Sequence, residues 1–421
     1  MKQQQTITVY EHQVLKLGDL NNGVRFDLHT LTALQAFHGL KGVPYYSLGY
    51  NSVRFNSHVG ILQAGAVMIE VLPKADAMGN DAAWREALIG MLLTVQNFDV
   101  SAPSRSNLSI KPNSILDLYF QLFINELEHL IRLGLIKTYK PIERNQMAFK
   151  GALLIGKDLQ HNLVHRERFF TRHHTYDTEH LLHQLLWASL LLIKEHNNSQ
   201  ALQSRIRQVI LHFPEQDKLV IRESLFARVK PDRKTAPYQK ALSIAKMLLL
   251  NYHPDVRQGR SHVLALLFDM NDLWEKFVFK TLSRHLILPG INVSVKGQQR
   301  KNFWKPKNGY DAFMKADIIL EYQWKGQQQC VILDTKWKNL NGYNPSPEDL
   351  RQLYVYHEYY QAHRVALVYP GRTRITDGHY YGPSSKLGDK NCAVLVIGVS
   401  TNVGAWQQII VEQLREWLRV I

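Results

Sequence analysis

Two short apolar runs separated by a polar gap constrain this chain most. Ala316-Asp317-Ile318-Ile319-Leu320-Glu321 and Cys330-Val331-Ile332-Leu333-Asp334-Thr335-Lys336 are rich in the β-branched and aliphatic residues that suit a pleated, half-buried surface. Between them, Gln323-Trp324-Lys325-Gly326-Gln327 has the glycine and the polarity of a hairpin loop. The pair therefore reads as an antiparallel hairpin. Asp317 opens its first strand, while Asp334 and Lys336 close its second, two residues apart and so on one face. Such pairing gathers two carboxylates and one ammonium at the same end. The carboxylates supply hard oxygen ligands for Mg²⁺, the Thr335 carbonyl adds another, and a lysine beside them orients a water or stabilises charge on a phosphate. Charged residues at strand ends also simply face solvent, so Asp334-Thr335-Lys336 alone leaves both readings open.

The next segment adds weight to the first. After the turn-rich Asn341-Gly342-Tyr343-Asn344-Pro345, Ser346-Pro347-Glu348-Asp349 makes a helix start, with Ser346 as N-cap and Pro347 at the first helical position. Gln352 and Tyr356 then lie four apart on one helical face, within reach of the strand ends. These residues resemble the PD-(D/E)XK nuclease superfamily, in its branch with a Gln-x-x-x-Tyr helix. The resemblance implies that Asp317 and Asp334 are the metal-binding acids, Lys336 the lysine, and Gln352 with Tyr356 the helix motif. Upstream, Glu275 in Leu273-Trp274-Glu275-Lys276 matches the acid often found on that family's first helix. It is either a third metal-site acid or the partner of a surface lysine. One departure is Ala316, where the family often has proline before the first Asp.

A second resemblance covers nearly the whole chain. Val9-Tyr10-Glu11-His12-Gln13, His58-Val59-Gly60-Ile61-Leu62-Gln63 and Ile69-Glu70-Val71-Leu72-Pro73-Lys74 look like the N-terminal region of McrC proteins. These are subunits that join an AAA+ GTPase, McrB, in restricting modified DNA, and the order of the phrases carries the likeness. It implies that residues 1–105 are a β-rich α+β module that docks on the partner, 106–260 a helical middle, and 261–421 a mixed-sheet nuclease domain of PD-(D/E)XK type. Glu11, His12 and His58 have no catalytic grouping around them and read as turn and packing residues.

Periodicity fills in the elements. Thr6–Tyr10, Val53–Phe55, Val59–Gln63 and Ala66–Leu72 read as strands, and Leu28–Phe37 and Asp81–Phe98 as helices. A break at Ala102–Asn107 precedes helices over Ile115–Leu133, Asp177–His196, Asn198–Phe213 and Pro237–Leu250, which make an α-bundle. From Ser261 the final domain begins. Val263–Leu282 reads as one helix, Ile291–Val295 as a strand, Lys296–Lys307 as a basic loop, Arg364–Pro370 and Cys392–Gly398 as central strands, and Val403–Arg419 as the last helix. In the loop, Arg300, Lys301, Lys305 and Lys307 surround Phe303 and Trp304. It either neutralises DNA phosphates beside the metal site or is a solvated hairpin.

Two tempting features in the middle carry less. Gly151-Ala152-Leu153-Leu154-Ile155-Gly156-Lys157-Asp158 has the glycines and lysine of a P-loop, but Asp158 stands where Ser or Thr would hold Mg²⁺ and the inner residues are bulky. No nucleotide is expected on this chain. The crowd of His161, His165, Arg166, Arg168, Arg172, His173, His174 and His183 lacks organised metal-ligand spacing and reads as a basic surface or a solvated edge.

The balance of 51 basic and 36 acidic residues, a net charge of +15, implies acidic partners such as nucleic acid. The two cysteines, Cys330 and Cys392, sit in apolar runs and suggest neither disulfide nor zinc site. The opening Met1–Thr6 lacks a signal-peptide core, and the apolar run Leu185–Ile193 is too short to span a bilayer, so a cytoplasmic chain away from membranes is expected. The function these features imply is a Mg²⁺-dependent (or Mn²⁺-dependent) DNA endonuclease subunit. It would act on double-stranded, methylated or otherwise modified DNA, assembled with an McrB-like AAA+ GTPase hexamer whose hydrolysis it stimulates. The alternative is a non-catalytic DNA-binding adaptor that activates the AAA+ protein; a self-sufficient reader of modified bases finds no support in the sequence.

Overall fold

The computed structural model describes residues 5–39, 42–64, 67–73, 81–95, 115–253, 263–338, 340, 344–382 and 386–418. The expected break at 102–107, the start at Ser261 and the turn residues 341–343 lie outside the described residues. The fold is mixed α/β with several sheets. Contacts divide the chain into two compact units, Met1–Ser106 together with Leu267–Ile421, and Asn107–Leu266. The first and last of the three expected segments thus share one unit, and the middle segment is inserted between them in sequence.

In the N-terminal part of the first unit the strands are β1 (Gln5–Tyr10), β2 (Val14–Lys16), β3 (Leu20–Asn21), β4 (Val24–Arg25), β5 (Tyr46–Gly49), β6 (Ser52–Phe55), β7 (His58–Ala64) and β8 (Val67–Leu72). Helices α1 (Leu28–His38) and α2 (Asp81–Val95) accompany them. β8 runs parallel to β1 and antiparallel to β7, and all six of its residues are buried. One of those is Glu70, whose two carboxylate oxygens accept from Arg85 of α2 at 2.6 and 2.5 Å. A charge this deep is tolerated because the guanidinium fork answers both oxygens.

The inserted unit contains α3 (Ile115–Leu133), β9 (Thr138–Gln146), β10 (Ala152–Leu153), α4 (Ile155–Asn162), β11 (Phe169–Asp177), α5 (Leu181–His196), α6 (Gln200–His212), α7 (Glu223–Arg228), α8 (Gln239–Leu250) and β12 (Tyr252–His253). The bundle helices stand where periodicity puts them, except that α5 starts at Leu181 and not at Asp177, which ends β11. The sheet β10-β11-β9 was not expected. Most of β9 is exposed or half-exposed, so it lacks the apolar alternation that marks a half-buried strand.

The chain then forms β13 (Val263–Asp269), α9 (Met270–His285), β14 (Val293–Trp304), β15 (Ala312–Trp324), β16 (Gln327–Thr335), α10 (Pro347–Tyr359), β17 (Arg364–Gly371), β18 (Arg374–Tyr381), β19 (Leu387–Gly398) and α11 (Val403–Leu418). Strands 14 to 19 make one sheet in the order β14-β15-β16-β17-β19-β18. The β14, β15 and β16 pairings are antiparallel, β16-β17 and β17-β19 are parallel, and β18 closes the edge antiparallel to β19. β17 is buried over seven of its eight residues, as a strand covered on both faces must be.

Four expectations change here. The run Val263–Leu282 is a strand followed by a helix, because a short continuous apolar run has no period to distinguish the two. Asp269 marks the switch by capping α9, accepting from the amides of Asn271 and Asp272. The basic segment Lys296–Lys307 is strand as far as Trp304 rather than loop. Asp317 lies in the middle of β15 and does not open it. The hairpin is tighter than expected, with Lys325 and Gly326 alone between the strands at φ of 48° and 80°. Positive φ at both positions matches the right-handed twist of the flanking strands, and glycine adopts it without strain. The edge strand β18 was not read from the sequence at all.

Candidate active site

The site forms where β15 and β16 part company. Their ladder stops at the pair Ile318–Leu333, one step short of Asp317 and Asp334. Asp317 fills the fork with its side chain: Oδ2 accepts from the Thr335 amide at 2.8 Å and from the Thr335 hydroxyl at 3.1 Å. Asp334 is wholly buried. Its Oδ2 lies 2.6 Å from the Lys336 ammonium, and its Oδ1 has no hydrogen-bond partner. Thus a strand alternation puts Asp334 and Lys336 on one face, and an interrupted ladder leaves room beside them.

α10 supplies the wall. Ser346 caps it by accepting from the Asp349 amide, and Leu353 and Tyr356 anchor it in a core with Ile319, Ile332 and Leu367. Lys336 donates to Gln352 Oε1 at 3.3 Å, Gln352 Nε2 donates to the Tyr356 hydroxyl at 2.8 Å, and that hydroxyl donates to the Lys315 carbonyl at 2.5 Å. A relay of side chains therefore joins the lysine, the helix and β15.

Electrostatics follow from burial. Desolvation holds the Asp317 carboxyl above its usual range. It does the same to Asp334, joined by the charge of Asp317, and pushes that group up to about 7. Burial disfavours the Lys336 ammonium, but the adjoining Asp334 outweighs it, so the net shift is upward. Two carboxylates that resist ionising together, one with an unmatched buried oxygen, fit a divalent cation, which would balance both charges. Mg²⁺ held by two carboxylates completes its shell with water and substrate phosphate.

Glu275 is placed differently from Asp317 and Asp334. Its Oε1 accepts from Gln298 Nε2 at 2.6 Å, and its carboxyl is raised by burial and then by the charge of Asp317. No group of three His, Cys, Asp or Glu side chains suited to a metal occurs among the described residues, so the acids brought together are a pair. Gln298 itself has a left-handed backbone, φ 50°, a strained conformation for a residue with a side chain. The four basic residues expected on DNA, Arg300, Lys301, Lys305 and Lys307, are all exposed, and Lys301 also donates to the Tyr359 carbonyl at the end of α10.

Sequence reasoning missed three neighbours. Lys315 stands two residues before Asp317, and that spacing was the available signal. Asp349 accepts from the Tyr369 hydroxyl at 3.1 Å and pairs with Lys338 at 2.5 Å, which outweighs burial and lowers its pKa. Trp337, between the two lysines of β16's end, donates through Nε1 to Glu11 Oε1 at 2.8 Å and packs on Trp274, ring centroids 5.6 Å apart. Glu11 is thus tied to the site's strand across 326 residues of sequence.

The tempting features of the inserted unit have local partners. Asp158 accepts from the Phe170 amide and from Asn162, while Lys157 and Arg172 both pair with Glu143. His183 contacts the Thr178 carbonyl at 2.5 Å, and burial pushes its pKa down to about 4.

A family described as McrBC 5-methylcytosine restriction system component matches residues 53–370. No curated protein matches the chain. Among solved structures, the chain is similar to one described as a refined half-complex from the tetradecameric assembly of Thermococcus gammatolerans McrB AAA+ hexamers with bound McrC. The TM-score is 0.70 at 19% identity, covering 98% of this chain and 100% of that one. It is also similar to a chain in the cryo-EM structure of the Thermococcus gammatolerans McrBC complex, with TM-score 0.50 and 19% identity over 68% of this chain and 89% of that one. At such identity the likeness is one of fold. No helix among the described residues is long and apolar enough to cross a membrane.

Proposed function

The chain belongs to the McrBC 5-methylcytosine restriction system component family, and from that membership we propose that it is the endonuclease subunit of a modification-dependent restriction complex. It hydrolyses phosphodiesters of double-stranded, modified DNA with Mg²⁺, or Mn²⁺, when assembled with an McrB-like AAA+ GTPase hexamer whose hydrolysis it stimulates. The observation that carries this reading is the grouping of Asp317, Asp334 and Lys336 at the β15-β16 fork, with the Asp334 carboxylate fully buried.

Asp317 and Asp334 would hold the ion through carboxylate oxygens, with the Thr335 carbonyl as a further ligand. When bound, a divalent cation polarises the scissile phosphate and lowers the pKa of water. The chain's own residues do the rest. Thr335 fixes the Asp317 carboxylate with its amide and hydroxyl. Lys336, held between Asp334 and Gln352, presents an ammonium to the attacking water and to the negative charge that builds on the phosphate. Gln352 steadies that lysine, Tyr356 locks Gln352 to β15, and Glu275 adds negative potential from α9. Arg300, Lys305 and Lys307 offer exposed charge to the DNA backbone.

Mixing the chain with its AAA+ partner, GTP and Mg²⁺ and following the cutting of methylated and unmethylated duplexes tests the reading. Cutting confined to modified DNA and lost in Asp334→Asn supports it. Equal cutting by wild type and Asp334→Asn refutes it, in favour of a non-catalytic adaptor.

A further inference from the structure

β14 and β15 run on as a two-stranded ribbon past the end of the β15-β16 ladder. β15 pairs with β16 from Ile318 to Trp324, but with β14 from Ala312 to Tyr322. On the ribbon the register sets Lys301 opposite Met314, Arg300 opposite Lys315 and Asn302 opposite Phe313.

One face of this ribbon is already occupied. Met314 and Ala316 are buried with Leu353 and Tyr356 of α10. The Tyr360 hydroxyl donates to the Gln299 carbonyl at 2.8 Å, Lys301 reaches the Tyr359 carbonyl, and Phe303 meets the Tyr359 ring at 5.3 Å between centroids. Because side chains alternate along a strand, Arg300, Lys315 and Phe313 lie on the other face. Arg300 is exposed, Lys315 half-buried, and Phe313 is 55% exposed. That face leads to Asp317, two residues beyond Lys315, and the Lys315 charge favours the ionised forms of both Asp317 and Glu275.

Like charges directly opposite on a β-ladder repel each other. No carboxylate among the described residues closes an ion pair with Arg300 or Lys315. Asp317 and Glu275 offset part of the Lys315 charge, and the facing pair becomes favourable around an anion: a guanidinium fork takes the two non-bridging oxygens of a phosphodiester, and an ammonium shares one of them as a point charge. We infer that Arg300 and Lys315 clamp one backbone phosphate beside the phosphate that is cut, with Phe313 packing on the adjoining sugar or base. The inference rests on the phosphodiester reading of the acid pair and adds the residues that position its substrate. Lys315 here replaces Lys301, which the other face consumes.

Duplex binding by the full chain, measured against salt concentration without divalent ions, tests the clamp in wild type, Arg300→Ala, Lys315→Ala, the two combined, Lys315→Arg and Lys325→Ala. Removing both charges, in Arg300→Ala combined with Lys315→Ala, makes the dependence of log K on log salt shallower by about 0.9, one phosphate's share, and each single change makes it shallower by part of that. Lys315→Arg keeps the wild-type slope, as does Lys325→Ala in the turn at the far end of β15. A neutral methylphosphonate at one backbone position weakens wild-type binding, weakens the single variants less, and leaves the variant lacking both charges unmoved. Wild-type slopes and methylphosphonate sensitivity in Arg300→Ala and Lys315→Ala overturn the clamp, as does a wild-type chain that binds no duplex. Altered slopes in a chain that never cuts with metal, even when assembled with its AAA+ partner and GTP, overturn the nuclease reading instead, and keep the phosphate contact.

Discussion

Asp334 sets the behaviour of the site with pH. Its carboxyl, ordinarily near 3.8, is pushed up to about 7 by burial and by Asp317. A raised carboxylate has the opposite linkage sign to a salt-bridged surface Asp. The folded chain holds the proton more tightly than the unfolded one, so this group's contribution to stability declines as pH rises from about 4 towards 7. A cation at the pair must displace that proton. Metal affinity is therefore expected to climb about tenfold per pH unit below 7 and to level off above it. Calorimetry of Mn²⁺ binding in buffers of different ionisation enthalpy reads the released proton directly. Asp334→Asn should release none, and a pH-independent affinity in the wild type would contradict this account.

The same dependence on neighbours holds for whole elements. α2 carries Gly90 in its interior, where glycine ordinarily costs a helix about 1 kcal/mol relative to alanine. The reason is the crossing with α11: a Cβ on Gly90 would stand 2.1 Å from a Val403 methyl. Gly90→Ala should therefore destabilise the chain by about 1–3 kcal/mol, as overpacked cores do. Adding Val403→Ala should recover most of it, which chemical denaturation can measure. Packing of this kind also explains how far the sequence could be read. Strand and helix periods made Asp334 with Lys336 and Gln352 with Tyr356 legible as shared faces, and the nuclease resemblance implied that Asp317 joins them, although Asp317 lies within β15 and not at its end. α3, α5, α6 and α8 were legible from their apolar spacing. What was hidden depended on pairing partners. The exposed strands β9 and β14 look like loops, and the apolar β13 looks like helix. The faces of the ribbon, which separate Lys301 from Lys315, exist only once its register and α10 are known.

At the scale of the whole molecule, the first unit is built from two distant stretches of sequence. α2 packs on α9 and α11, and Glu11 accepts from Trp337 beside Lys336. The last 159 residues, 263–421, should therefore not fold by themselves, since Trp337 would lose its buried acceptor and α9 and α11 would lose their cover. Near-UV circular dichroism of that fragment should show no fixed tertiary packing; a cooperative melt would contradict the shared unit. Assembly with an AAA+ ring is what the proposed function adds to this architecture, and it allows the central claim to be isolated. The decisive measurement is single-turnover cleavage of modified DNA by the assembled complex, with GTP hydrolysis followed in the same sample, for wild type and Asp334→Asn. The account predicts that the variant stimulates GTP hydrolysis as the wild type does while its cutting rate falls by a factor of about 10³ or more, the scale of losing a central electrostatic group. Undiminished cutting by Asp334→Asn would contradict it.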